Sequence, residues 1–367
     1  MRKILITLTS VMAALTLTAC SASNALTTKI DVTPPVYEES YSPVTITNEF
    51  NDGEDFDWYE EFVEQVQTFS IRPVITRRVE KKYVRVGLKQ LHNEHPDIFW
   101  LNGYYFRTGT NATTIEFELI DGCDEDSIIS MHSELEAAAD EILSQIPEDS
   151  SDYDKALFVH DYIVDNTEYY YDGVDADSRQ LWHTAYGCLV NGEAVCQGYA
   201  EAFTYLMRRM GIESGICTGI VEHGSHAWNY VKLDDKYYWL DATWDDINSK
   251  DDVEKHTYFL FDDTRMLRTR KLDSTQNFAP VCDSMDLNFY VQNNAFFDTY
   301  DLDTVSALVA ANADKHCCSM MFSNFDAYNE AVMDFLGEGK VFKVDGADIS
   351  SVSYYTDDLM FTINLDF

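Results

Sequence analysis

The stretch that most constrains this chain runs from Gly192 to Tyr205, G-E-A-V-C-Q-G-Y-A-E-A-F-T-Y. Small residues around Cys196 give way at once to a helical pattern. Ala200, Ala202, Phe203, Leu206 and Met207 recur on the side that would face a core. Gly211 follows the last periodic residue, where a helix C′ glycine belongs. The spacing predicts a helix over 196–210 with the cysteine in its first turn. Free N–H groups at a helix start carry partial positive charge, and that charge favours a thiolate over a thiol. Gly192, Ala194 and Gly198 let other backbone come close, as a site needs if its N–H groups must face a substrate oxygen. A cysteine taken alone is more often a small buried hydrophobe than a nucleophile.

Two downstream segments change that balance. Ile216 to Val221 is β-like, and H-A-W-N-Y-V-K-L from His226 and K-Y-Y-W-L-D-A-T-W from Lys236 flank Asp234-Asp235 in a hairpin pattern. A two-residue loop pairs Leu233 with Lys236 and sets His226 opposite Thr243. A four-residue loop sets His226 opposite Asp241. In both registers His226 and Asp241 share a face, because side chains alternate with period two, and they lie within hydrogen-bond reach. A three-residue loop would separate them. A thiol, an imidazole to take its proton and a carboxylate to orient that imidazole are the set that nucleophilic acyl transfer requires. A helix-start N–H can hold the oxyanion that forms.

At these residues the chain resembles the transglutaminase-like superfamily, close to its bacterial transglutaminase-core domain. G-E-A-V-C-Q-G-Y-A-E-A-F is similar to that family's cysteine motif, H-A-W-N to its histidine motif and L-D-A-T-W-D to its aspartate motif. The likeness covers roughly residues 125 to 265. It implies an α+β fold with a papain-like core, in which a helix bearing Cys packs on an antiparallel sheet bearing His and Asp, flanked here by small α/β modules. Carried over by position, Cys196 is the nucleophile, His226 the general base and Asp241 the orienter. Trp228 and Trp244 wall the substrate cleft, with Gln197 and Tyr199 beside it. No cofactor or metal is implied. The animal enzymes carry W-V-F or similar after the cysteine where this chain has Gln197-Gly198-Tyr199, so amine transfer does not simply carry over. Water as acyl acceptor makes a peptidase or amidase, and an amine makes a cross-linking transglutaminase. Hydrolysis is favoured because water needs no second binding site. An inactive surface binding protein is the reading from another class.

The remaining chain frames this core. Arg2 and Lys3 precede a mostly apolar run, Ile4 to Leu17, that is too short to span a bilayer and reads as an export signal. Leu17-Thr18-Ala19-Cys20 resembles the lipobox of bacterial lipoproteins, which implies cleavage before Cys20, lipid attachment on its sulfur and a protein anchored to the membrane outside the cytoplasm. The expected organisation is a signal (1–19), a tether rich in Ser, Thr, Pro and Glu (20–55), an N-terminal α/β module (56–122), the core (123–280) and a C-terminal α/β module (285–367). Expected partners are a protein or peptide substrate, including cell-wall peptide, and the membrane through the anchor. In the core, helices are predicted over 125–146 and over 154–166, the second with Asp152 as N-cap. His160 reads as a satisfied core or surface histidine. Tyr258-Phe259-Leu260 reads as a buried strand that closes the domain.

Charge and cysteine usage exclude some alternatives. The 26 basic and 64 acidic residues give a net charge of −38, spread along the chain, which disfavours a nucleic-acid role. The eight cysteines contain no CxxC pair, so a zinc cluster has no support.

Overall fold

Strict alternation from Ile115 to Ile120 predicts a half-buried strand, and a strand runs through Thr113–Leu119 with residues 113, 115 and 117 buried and 114, 116 and 118 exposed. The computed structural model describes residues 15–18, 58–173, 179–222, 224–248, 255–273 and 279–367. Its first strand, β1 (Leu15–Thr18), belongs to the C-terminal sheet. There follow α1 (Trp58–Gln67), β2 (Val74–Ile75), α2 (Lys81–Glu94), β3 (Leu101–Thr108), β4 (Thr113–Leu119), α3 (Ser127–Leu143) and α4 (Asp152–Asn166). Next come β5 (Glu168–Tyr169), β6 (Glu193–Ala194), α5 (Cys196–Arg209), β7 (Ser214–Val221), β8 (Gly224–Leu233), β9 (Lys236–Leu240), α6 (Ala242–Asn248), α7 (Asp263–Thr269) and β10 (Lys271–Leu272). These elements from α1 to β10 fall in one compact unit.

At its N-terminal side, β2, β4 and β3 form a small antiparallel sheet. Phe99 and Trp100, expected in a strand, are buried in the turn before β3 instead. Gly87 is there for packing: a Cβ would lie 2.4 Å from the Trp58 ring, so the glycine lets α2 approach α1. The predicted long helix is α3, with Ile128, Leu135, Ala139 and Ile142 buried. For α4 the N-cap is Ser151, not Asp152. Its hydroxyl accepts from the N–H of Asp154 while the Asp154 carboxylate accepts from the N–H of Ser151, a reciprocal pair that Asp152 is placed one residue too late to make.

The core sheet has the order β10-β7-β8-β9 and is antiparallel throughout. Leu233 pairs with Lys236, so the hairpin takes the two-residue loop. Asp234 and Asp235 both have positive φ, 49° and 62°, which is the primed turn that matches strand twist. The ladder ends at Asn229 with Leu240, because the chain leaves the strand at Asp241. The expected continuation of the strand through Thr243 is replaced by helix α6. Its cause is local: the Asp241 carboxylate accepts the N–H of Trp244 at 3.2 Å and caps the new helix. Tyr258-Phe259-Leu260 is buried as expected but is a bend rather than a strand, with Leu260 at φ 55°.

Helix α5 lies on β7 and β8 through Ala200, Ile216 and Ala227. The buried Asn229 amide ties the two layers, donating to the carbonyl of Ala200 and the hydroxyl of Thr204, each at 2.9 Å. His160, also buried, is a satisfied core histidine: Nε2 meets Asp245 and Nδ1 meets Asp161, both at 3.0 Å. The Asp245 carboxylate in turn accepts the N–H of Tyr258 at 2.9 Å, so α4, α6 and the 258–261 bend are joined through one imidazole.

The second unit gathers the C-terminal residues from Met285 onward. Its elements are α8 (Phe289–Gln292), β11 (Phe296–Phe297), α9 (Leu302–Ala311), β12 (Cys317–Phe322), α10 (Phe325–Ala331), β13 (Ser351–Asp357) and β14 (Thr362–Asp366). The sheet order is β1-β13-β14-β12-β11, over a core that includes Val305, Val309, Phe322, Phe335 and Ile363. Leu287–Val291 reads as a strand but folds around α8, because the Asn288 side chain accepts the N–H of Tyr290 and starts a helical turn. Lys340–Val344 also reads as a strand. A 3₁₀ turn forms at Lys340–Lys343 after Gly339, whose φ of 66° breaks the extended path. Cleavage before Cys20 would remove β1 from the edge of this sheet.

Candidate active site

Cys196 is the first residue of α5, and Val195 before it supplies no side-chain cap. The turn is held by two-residue parallel pairing of β5 with β6: Glu168 donates its N–H to Gly192 at 2.8 Å and Tyr170 to Ala194 at 2.9 Å. Gly198 is required by close approach. A Cβ there would sit 2.7 Å from the Trp182 carbonyl and 3.1 Å from that of Thr184. The same Trp182 carbonyl accepts the N–H of Val195 at 2.8 Å. Pairing of β5 brings Tyr169 to the start of α5, close enough to Cys196 for the two to interact electrostatically.

His226 stands near the start of β8, with half-buried Cys196 close enough to act on it electrostatically. Its Nε2 meets Oδ2 of Asp241 at 2.7 Å. With Nε2 so engaged, Nδ1 is the nitrogen left for the sulfur. His226 is 7% exposed and Asp241 1%. Burial works against a charged imidazole, yet the Asp241 carboxylate and Cys196 outweigh it and raise the His226 pKa to about 9. Burial likewise opposes ionised Asp241, but His226 and Arg270 outweigh it and hold that carboxyl below its ordinary value. At neutral pH the pair is therefore imidazolium and carboxylate. An imidazolium beside a sulfur is the arrangement that supports a nucleophilic thiolate.

The remaining residues singled out from the sequence take different places. Trp244 is half-buried, with its ring 5.4 Å from that of His226. Trp228 stacks 6.1 Å from the His226 ring but is 1% exposed, so it backs the imidazole from the interior rather than walling an open cleft. Tyr199 is also interior, with its hydroxyl bonded to the Asp246 carboxylate and the Thr167 carbonyl. Gln197 is half-buried and donates to Glu201 at 3.0 Å. That fully buried glutamate is gripped bidentately by Arg179 at 2.7 and 2.8 Å, and Arg179 also donates to the Leu101 carbonyl. Gln197 thus belongs to a brace behind the helix start. Cys20 lies outside the described residues.

Two residues at the site escaped the sequence reading. Tyr169 carries no local signal, since only the β5–β6 pairing brings it to Cys196. Arg270 is the other. It is 3% exposed, its Nη2 is hydrogen-bonded to Oδ2 of Asp241, and its guanidinium lies 4.1 Å from the centre of the Trp244 ring. Charge reasoning could have asked for such a cation, because a buried ionised Cys, His and Asp set carries one uncompensated negative charge.

With this geometry in hand, the sequence comparison is decisive for the core. Residues 138–243 match the family model described as the transglutaminase-like superfamily. The match covers that segment alone, under a third of the chain. Cys196, His226 and Asp241 all fall inside it, while Arg270 falls outside. The superfamily is typically one of cysteine-dependent enzymes. No curated protein sequence matches the chain. Among solved structures, one reported as "a TGase" is similar at 13% identity over 47% of this chain and 50% of its own, with TM-score 0.28. A "Putative Cysteine Protease from Cytophaga hutchinsonii" is similar at 19% identity over 37% of this chain and 55% of its own, with TM-score 0.25. A "putative protease from Parabacteroides distasonis" is similar at 10% identity over 38% and 36%, with TM-score 0.21. The chain spans about half the length, or less, of these structures.

Proposed function

We propose that this protein is a thiol acyl-transfer enzyme that cleaves peptide or glutamine-type amide bonds through a thioester on Cys196. The observation that carries the reading is the buried His226 imidazole, hydrogen-bonded to Asp241 and close enough to Cys196 for the two to interact electrostatically. The Cys196 sulfur attacks the scissile carbonyl carbon, and the carbonyl electron pair moves onto oxygen. As that intermediate collapses, His226 gives its proton to the leaving amine and a thioester forms. His226, now neutral, takes a proton from an incoming water whose oxygen attacks the thioester. The acid product leaves, and thiolate and imidazolium are restored. The N–H of Cys196, at the start of α5, is placed to hold the oxyanion.

Hydrolysis is favoured over amine transfer because Gln197 and Tyr199, next to the nucleophile, are engaged by Glu201 and Asp246. They offer no built second site for an acceptor amine. The test supplies a peptide library and a labelled primary amine together. Cleavage without label incorporation is the expected result, incorporation identifies a cross-linking enzyme, and neither product from the wild type would leave a binding protein. Export and lipid anchoring through Cys20 belong to the same proposal. Cys20→Ser is expected to move the protein from the membrane fraction to the soluble one.

A further inference from the structure

The assignment that follows rests on that thiol mechanism and adds a residue to it. We propose that Arg270 is a positioning residue of the active site, a fixed cation that neutralises the buried charge of the Cys196–His226–Asp241 set and orients the Asp241 carboxylate toward His226.

Geometry carries this first. Oδ2 of Asp241 receives both Nε2 of His226 and Nη2 of Arg270, so one oxygen sits between two cations. Its other oxygen caps α6 through the N–H of Trp244. The carboxylate is thereby held on three sides and cannot rotate away from the imidazole. Arg270 is itself immobilised. The rings of Trp244, Trp228, Tyr258 and Phe261 surround its guanidinium with centroids 4.1 to 5.4 Å away, a cation–π cage that holds charge without supplying a competing anion. Its Nε is buried with no hydrogen-bond partner, Nη1 donates to the hydroxyl of adjacent Thr269 at 3.2 Å, and Nη2 is committed to Asp241.

The route by which Arg270 arrives is specific. Strand β10 begins at the next residue, and Lys271 pairs with Ile220 while Leu272 pairs with Gly219. A Cβ on Gly219 would lie 2.1 Å from the Lys271 carbonyl oxygen and 2.8 Å from the Trp228 ring. The missing side chain at Gly219, directly opposite His226 in the sheet, is what admits the strand that delivers the arginine.

Charge supplies the function. With the thiol ionised, Cys196, His226 and Asp241 sum to one negative charge. In the tetrahedral intermediate the oxyanion replaces the thiolate and the sum is unchanged. In the acyl-enzyme, neutral His226 and ionised Asp241 again sum to one negative charge. Arg270 brings the set to zero at all three stages, which matters because an uncompensated buried charge is costly. Among the described residues, the phenols of Tyr169 and Tyr258 also lie against the set, and burial pushes that of Tyr169 up, so it stays neutral.

Iodoacetamide alkylation of Cys196, measured from pH 5 to 10 on the full-length protein, tests this without a known substrate. Arg270→Gln is expected to slow alkylation at pH 7 about tenfold and to move the rising limb up by about one pH unit, since a cation that favours the thiolate is gone. Arg270→Lys is expected to restore the position of the limb while losing the fork geometry. A folded Arg270→Gln protein whose profile superposes on the wild type overturns the assignment, because a merely structural role would change melting and leave the limb in place. If Arg270→Gln does not fold, Asp241→Asn/Arg270→Gln removes both buried charges and is compared with Asp241→Asn. A further upward shift of the limb in the double variant supports the assignment, and equal profiles refute it. A wild-type Cys196 no faster than the other thiols removes the mechanism itself, an outcome distinct from failure of the arginine alone.

Discussion

At the scale of single residues, one oxygen of Asp241 organises the site. It bonds His226 and Arg270, while the second oxygen starts α6. Asp241→Ala is expected to destabilise the protein by about 3–5 kcal/mol in denaturant titration, because it leaves two buried cations uncompensated. Asp241→Asn, which keeps the shape and loses the charge, is expected to cost less stability and as much activity. His226 makes a second prediction. Its folded pKa is raised to about 9, so its stabilisation is fully present below its unfolded value of about 6.5 and is lost as pH rises through about 9. That displacement corresponds to about 3 kcal/mol at most. Unfolding free energy measured from pH 6 to 10 is expected to fall across that window, and the fall is expected to vanish in His226→Gln. A flat wild-type curve would count against a charged pair.

At the scale of elements, the site is made by three local exits from regular structure. The β5–β6 pairing sets the turn before α5, the strand β9 stops at its capping aspartate, and β10 enters beside a glycine. Gly219→Ala is expected to cost about 1–3 kcal/mol through overpacking, and to lower activity more than its stability loss explains, because it displaces the strand that carries Arg270. Melting temperature and alkylation rate measured on the same sample separate the two effects. The helix–sheet tie predicts the reverse. Asn229→Ala removes a buried amide that serves two acceptors, with an expected loss of about 1–3 kcal/mol and little movement of the pH limb.

At the scale of the whole molecule, the net charge of −38 dominates. Like-charge repulsion opposes the compact state and is screened by salt. Melting temperature is expected to rise between low salt and about 0.5 M sodium chloride, where the Debye length falls to a few ångströms. A melting temperature independent of salt would show that the acidic residues are locally balanced. No described helix is long and apolar enough to cross a membrane.

How much of this was legible beforehand follows from the range of the forces. The helix at Cys196 could be read from its own periodicity, and the shared face of His226 and Asp241 from the parity of a hairpin, since both depend on neighbours a few residues away. Capping decided the places where local reading failed. Ser151 and Asn288 outcompeted a helix start placed one residue late and a strand, through side-chain bonds too specific for apolar patterning to reveal. The sequence by itself determined the likeness of residues 138–243 to the transglutaminase-like superfamily and the helix that begins at Cys196. Only the tertiary structure decided that Tyr199 and Trp228 are interior, that Tyr169 comes close to Cys196 and that Arg270 reaches Asp241. Those outcomes depend on which distant segments share a low-dielectric space. Burial and charge balance are properties of that space, and no local pattern of residues encodes them.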